Sequence, residues 1–163
     1  MKYEFEKQNI DNQPETVIEK GSLEDLQEIV QFNYEIFDGM YEDGPYSLAQ
    51  YQAKLRAKEP VIFVAKKADK IAGDSIAFER DGSFYIWVLG VGKNYRGQGI
   101  GSSLLDKNEQ LARENGYNKV SAKVYNVSPG MQRLIKQRGY SVVSVEESKT
   151  DPKYTALRFE LKL

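Results

Sequence analysis

Seven consecutive residues, Arg96-Gly97-Gln98-Gly99-Ile100-Gly101-Ser102, carry the clearest chemical signal in the chain. Glycines at alternate positions let backbone approach a ligand closely, and the free N–H groups and positive dipole of a helix start favour an anion. Val88 to Leu105 reads as a strand passing through this turn into an amphipathic helix, an arrangement suited to a pyrophosphate. The triphosphate-binding pattern G-x-x-x-x-G-K-[ST] is absent, and the dinucleotide pattern G-x-G-x-x-G, which would require a preceding parallel-sheet strand and a later ribose-binding carboxylate, is not satisfied either.

Other chemistries fall to composition. With no cysteine the chain cannot form disulfides, thiolate metal sites or an acyl-cysteine intermediate, and with no histidine it lacks the commonest general base and zinc ligand. No metal is expected, and reaction chemistry is left to carboxylates, tyrosines, lysines, backbone and water. The net charge of -1 conceals an asymmetry: residues 1–46 hold 12 acidic and 3 basic side chains, the rest 12 acidic and 20 basic. A pI near 5.7 disfavours nucleic acid as a partner. No apolar run approaches the roughly 18 residues a membrane span needs, so no membrane partner and a cytoplasmic location are expected.

The elements that must hold the loop follow from periodicity. At 163 residues the chain is expected to form one domain over 1–163, with 1–14 an extension or extra strand. Thr16 to Lys20 reads as a strand closed by Gly21; Ser22 then caps a helix through Leu26, Ile29, Val30, Asn33 and Phe37 to Asp38-Gly39. Ser47 and Gln50 form a capping box for a second helix that ends before Pro60. Val61 to Lys66, Ile71 to Arg80 and Ser83 to Val91 read as an antiparallel meander turning at Asp81-Gly82. A helix from Gly101 to Asn115 leads to a strand through Val120, Ala122 and Val124, so this strand and Ser83–Val91 would run parallel. Ser128-Pro129 starts a short helix stopped by Gly139, and Ser141 to Glu147 and Tyr154 to Leu163 complete the strands. The last reads as an edge strand able to pair with a second copy, favouring a homodimer.

Within this frame Arg96-Gly97-Gln98-Gly99-Ile100-Gly101 matches [QR]-x-x-G-x-[GA], preceded by a strand ending in Leu-x-Val. The stretch resembles the pyrophosphate loop of the GNAT superfamily of acetyl-CoA-dependent N-acetyltransferases. Ala112 to Tyr117 and Val124-Tyr125 through Arg138-Gly139-Tyr140 extend the resemblance over roughly residues 16 to 145. It implies an α+β GNAT-like fold, a central mixed, mostly antiparallel sheet of six to seven strands with about four helices. It also implies that backbone from Gln98 to Ser102 holds the CoA pyrophosphate and that Leu89 and Val91 pair with the pantetheine. Arg96 would support the loop or touch a phosphate, with Asn126, Ser128 and Arg133 near the pantetheine or nucleotide. The chain departs from the family where N-x-x-A is followed by a tyrosine acid: those positions are Ser128, Met131 and Ile135. Tyr140 matches a core aromatic, and Tyr125 is an unplaced alternative acid.

The expected reaction is transfer of acetyl from acetyl-CoA to a primary amine on a small molecule, peptide or protein, by direct attack in a ternary complex. Developing oxyanion charge would meet the backbone N–H of Val91. A thiolate leaving group, with a thiol pKa near 8.5, can depart without a dedicated acid. Base candidates are Glu79 at the meander turn and Glu35, Asp38, Glu42 or Asp43. Tyr34, Phe37, Met40, Tyr41 and Tyr46 surround the helix–loop–helix connection that borders the acceptor in this family, which, with those acids, suggests a cationic acceptor. Tyr85 and Trp87, placed on one strand face with Leu89 and Val91, either line the cleft or fill core. A noncatalytic acyl-CoA sensor and a different acyl group such as succinyl stay open, as does a plain interaction module in which the glycine loop is only a turn.

Overall fold

The computed structural model describes residues 14–163. An additional strand within 1–14 lies outside the described residues, Pro14 excepted. The strands are β1 (Thr16–Gly21), β2 (Val61–Lys67), β3 (Lys70–Arg80), β4 (Ser83–Val91), β5 (Lys119–Tyr125), β6 (Ser141–Glu146) and β7 (Ala156–Lys162). The helices are α1 (Leu26–Ile36), α2 (Leu48–Leu55), α3 (Ile100–Glu114) and α4 (Pro129–Gln137). The strands form one sheet in the order β1-β2-β3-β4-β5-β7-β6, antiparallel except for β4 with β5. This is the GNAT-like α+β fold that the motif implied.

Local chemistry accounts for most boundaries. Ser22 and Asp25 form a reciprocal capping box, Asp25 Oδ2 accepting from the Ser22 N–H at 2.8 Å, but it opens a 3-10 turn that leads into α1. The Ser47–Gln50 box starts α2 as expected, with Gln50 Oε1 accepting from the Ser47 N–H at 2.8 Å. The expected C-terminal strand starts two residues late. Asp151 accepts from the Lys153 N–H at 3.1 Å and stabilises a 3-10 turn over Pro152–Tyr154 instead.

Each face of the sheet has its own core. α1 and α2 pack Ile29, Val30, Tyr51 and Leu55 onto one face, against Ile76, Phe78, Tyr85 and Val88. α3 and α4 cover the other with Leu105, Ala112 and Ile135 against Phe84, Ile86, Val120 and Phe159. Gly73 lets α3 sit close, since a Cβ there would stand 2.9 Å from both Ile100 Cγ2 and the Gly90 carbonyl oxygen.

Two expectations are corrected. β7 lies between β5 and β6, so it is not an edge, and β6, with Val143 and Val145 exposed, takes that place. In β4 the register against β3 steps from Val88↔Ile76 to Ile86↔Ala77, leaving Trp87 as an extra, bulged residue. The bulge reverses the alternation. Tyr85 therefore packs with the α1–α2 core, whereas Leu89 packs on the α3–α4 side, and the two do not share a face.

Candidate functional site

Strand divergence creates the site. β4 pairs with β5 only at Phe84–Ile86 against Val120–Ala122, although β4 continues to Val91 and β5 to Tyr125. Beyond Ile86 the strands separate and open a gap through the sheet. A cavity of about 850 Å³ occupies it, running from the N-terminus of α3 to the aromatic residues of the α1–α2 connection.

At one end stands the glycine loop. Gly97 and Gly99 have φ of +75° and +82°, a conformation that costs a side-chain-bearing residue 1–2 kcal/mol or so, and a Cβ at either would meet nothing within 4 Å. Gly99 is the N-cap of α3 without a side-chain cap, so the first N–H groups of this fifteen-residue helix are left for a ligand. Gly97, Gly99, Ile100, Gly101 and Ser102 line the cavity beside Leu89, Val91 and Arg96. Arg96 Nε lies 3.4 Å from the Val91 carbonyl oxygen and ties the loop back to the strand. Gln98 turns away and accepts a hydrogen bond from Lys67.

Along the gap the strand offers backbone. The Gly92 N–H donates to the Ala72 carbonyl at 2.8 Å, on the β3 side. Alternation in an antiparallel ladder then turns the N–H groups of Val91 and Leu89 the other way, toward the cavity.

The remaining sequence-selected residues divide. Phe37, Tyr85 and Ser128 line the cavity, Ser128 with its hydroxyl 3.4 Å from Met40 Sδ. Asn126, Arg133, Tyr34 and Asp38 are exposed and do not line it. Nor does Glu79, whose carboxylate accepts from the Gly82 N–H at 2.7 Å and serves the β3–β4 turn. Ile135, where the family motif has its acid, is buried in the α3–α4 core, and Tyr140 is buried with its hydroxyl donating to Glu109 at 3.0 Å.

Sequence reasoning named the aromatic residues of the wall remote from the glycine loop but missed the cations beside them. Tyr41 and Tyr46 stack at 4.8 Å, Tyr46 stacks on Trp87 at 6.0 Å, and Tyr125 meets Tyr41 edge-on at 5.4 Å. Burial raises the Tyr41 and Tyr85 hydroxyls above the usual tyrosine pKa, so both stay neutral donors. Among the described residues every charged side chain lining the cavity is cationic: Lys54, Arg80, Arg96 and Lys123. The acids Glu42 and Asp43 line a neighbouring cavity of about 480 Å³ with Glu146 and Glu147, and Glu35 lines neither.

A buried polar pair backs β4. Asn33 Nδ2 of α1 donates to Asp74 Oδ2 at 2.9 Å, while Asn33 Oδ1 and Asp74 Oδ1 have no partner. Both orphan oxygens lie 3.1–3.2 Å from where a Cβ on Gly90 would stand, so a side chain between Leu89 and Val91 would press on this pair. Burial pushes the Asp74 carboxyl up to about 7, opposed by the Asn33 hydrogen bond. A proton on Asp74 supplies a donor where otherwise only acceptors meet.

A family model for the GNAT acetyltransferase family matches residues 23–140. The chain belongs to the GNAT family. Among solved structures, a GNAT-family protein from Desulfovibrio desulfuricans superposes with a TM-score of 0.75 at 14% identity, covering 91% of this chain and 99% of that one. The ribosomal-protein-S18-alanine N-acetyltransferase of Escherichia coli gives 0.73 at 18% identity, covering 91% and 94%. yncA of Salmonella typhimurium, solved with its cofactor acetyl-CoA, gives 0.69 at 18% identity, covering 90% and 93%. At these identities the GNAT fold is what is shared. No curated protein matches the chain.

Proposed function

We propose that this GNAT protein is an N-acetyltransferase that passes an acetyl group from acetyl-CoA to a primary amine by direct attack in a ternary complex. The observation that carries it is the open β4–β5 gap, which joins an uncapped helix N-terminus to a second, aromatic chamber through backbone N–H groups facing inward. Acetyl-CoA supplies an activated thioester carbonyl. The N–H groups from Gln98 to Ser102 hold its pyrophosphate, with Arg96 bracing the turn, and Leu89 and Val91 align the pantetheine as an additional strand would. Ser128 borders the same arm at the start of α4. Asn126 and Arg133 are exposed outside the cavity and would meet the cofactor only where it leaves it.

The amine nitrogen attacks the carbonyl carbon as the carbon–sulfur bond breaks. The surplus proton of the amine leaves to water and the departing thiolate takes one up. Val91 N–H meets the negative charge that grows on the carbonyl oxygen. No carboxylate among the described residues lines the cavity, and neither Glu79 nor Asp38 is in place to take the proton directly. Phe37 and Tyr85 shape the acceptor chamber.

Calorimetry with acetyl-CoA, followed by thiol release in the presence of an amine panel, tests this. Saturable binding and amine-dependent thiol release are expected, and absence of acetyl-CoA binding overturns the proposal. Ile135 in place of the family's tyrosine favours a second reading, a noncatalytic acyl-CoA sensor, which predicts binding without thiol release for any amine.

A further inference from the structure

We propose that the acceptor of this enzyme carries an anionic group, a carboxylate or a phosphate, in addition to its amine, and that Lys54, Arg80 and Lys123 bind that group at the end of the cavity remote from the glycine loop. The proposal rests on the acyl-transfer reading and adds the chemical class of the second substrate.

Position separates these cations from the cofactor. The phosphate-binding N-terminus of α3 lies on the α3–α4 face of the sheet. Lys54 belongs to α2 on the opposite face, and Arg80 sits over the Tyr85 ring of the α1–α2 core at 4.9 Å. Lys123 leaves β5 where β5 has parted from β4, its ammonium 5.4 Å from the centre of the Tyr125 ring. Three separate elements thus bring positive charge to one wall.

That charge is incompletely answered within the protein. Lys123 pairs with Glu146 at 2.7 Å. Among the described residues Arg80 has only Asp81, at 3.8 Å, with a carboxylate 84% exposed, a separation and exposure at which an ion pair contributes little. Lys54 enters none of the ion pairs among the described residues. Burial lowers the pKa of its ammonium, and Arg80, Lys58 and Lys123 lower it further. Like charges gathered beside an apolar aromatic wall repel one another until an anion joins them.

The placement also serves the amine. With its anionic group held by Lys54 and Arg80, an acceptor points its nitrogen along the aromatic wall toward Leu89 and Val91. Nearby cations disfavour its ammonium form and promote proton loss to water, a role that no carboxylate among the described residues is placed to take. A cationic acceptor would meet the opposite field. The acids that suggested one, Glu42 and Asp43, belong to the neighbouring cavity across Tyr41, Tyr46 and Tyr125.

Trp87 is the only tryptophan of the chain and lines the cavity, so its fluorescence reports binding without turnover. The probes are product-like: N-acetylleucine, its decarboxylated counterpart N-(3-methylbutyl)acetamide, and N-acetyl-O-phosphoethanolamine as the phosphate arm. Saturable quenching is expected from at least one anionic probe at about tenfold lower concentration than from the neutral amide, weakened about tenfold in K54M and in R80M. The tighter anionic probe identifies the source as carboxylate or phosphate. Equal binding of the neutral amide, no quenching by either anionic probe, or binding unaffected by both substitutions overturns the proposal. Acetyl-CoA calorimetry on the same proteins separates the outcomes, because its failure in the wild type would sink the acyl-transfer reading, whereas normal acetyl-CoA binding with no preference for anionic probes sinks only this one.

Discussion

The two ends of the cavity present positive charge by different means. At the α3 end the donors are backbone N–H groups, held by a turn whose Gly97 and Gly99 have positive φ, with no side-chain cap competing for the helix terminus. At the acceptor end the donors are side chains of Lys54, Arg80 and Lys123, from a helix and two strands, set against aromatic rings. A backbone site is insensitive to which residues occupy it provided the chain can adopt the turn. A side-chain site can be retuned one substitution at a time without disturbing the fold. One enzyme framework can thus keep its donor while its acceptor changes.

Gly99→Glu breaks the first half of this comparison most severely. It forces a side chain onto φ +82° and puts a carboxylate where the helix dipole attracts phosphate. Acetyl-CoA affinity measured by calorimetry should fall at least about a hundredfold. Retention of affinity within a few fold would mean that the pyrophosphate lies elsewhere.

Arg138→Ala tests how α4 is fastened to α3, the helix that carries the glycine loop at its N-terminus. Arg138 at the C-terminal end of α4 bonds Glu109 of α3 at 2.8 Å and also Asp106, and Glu109 is nearly buried, with Tyr140 as its other partner. Removing the guanidinium strands a buried carboxylate. Denaturant unfolding should show a loss of about 3 kcal/mol, partly recovered in the double variant Arg138→Ala, Glu109→Gln. No recovery would locate the cost in lost packing instead.

Asp74→Asn probes the pair behind the centre of the gap. The Asp74 carboxyl is raised to about 7 in the fold, above its unfolded value, so the native state holds the proton more tightly. Its stabilising contribution is complete below the unfolded pKa and is lost as pH rises to about 7. An asparagine keeps a donor and does not titrate. The stability of the variant relative to wild type in thermal unfolding should therefore grow between pH 5 and pH 8, by about 1 kcal/mol or more. Equal pH dependence in both proteins would show that Asp74 is ionised throughout.

The legibility of the two ends in the sequence differs for the same physical reason as their chemistry. The glycine loop is contiguous, and backbone demands on glycine and on a helix start are printed in neighbouring residues. The meander, the parallel β4–β5 unit and the cover helices likewise follow from periodicities within single segments. Lys54, Arg80 and Lys123 are scattered over seventy positions and meet only through tertiary packing, while the visible acidic run of Glu35 to Asp43 stands outside the main cavity. The bulge at Trp87 had no glycine to announce it, so strict alternation put Tyr85 on the wrong face. The order β5-β7-β6 is likewise a pairing choice that the β6 and β7 segments do not encode locally.

Arg96→Gln sharpens the comparison with the smallest expected effect. Arg96 is the one charged side chain of the glycine loop, so ordinary electrostatic intuition would make it the main phosphate ligand. Its guanidinium is exposed, however, and its Nε faces the Val91 carbonyl at a long 3.4 Å. An exposed charge contributes under about 1 kcal/mol, and that part is screened by salt. Acetyl-CoA affinity should therefore fall only about threefold at low ionic strength, the difference shrinking as salt is raised. A loss as large as that of Gly99→Glu, persisting at high salt, would make the donor end a side-chain site too and remove the contrast on which the division of labour rests.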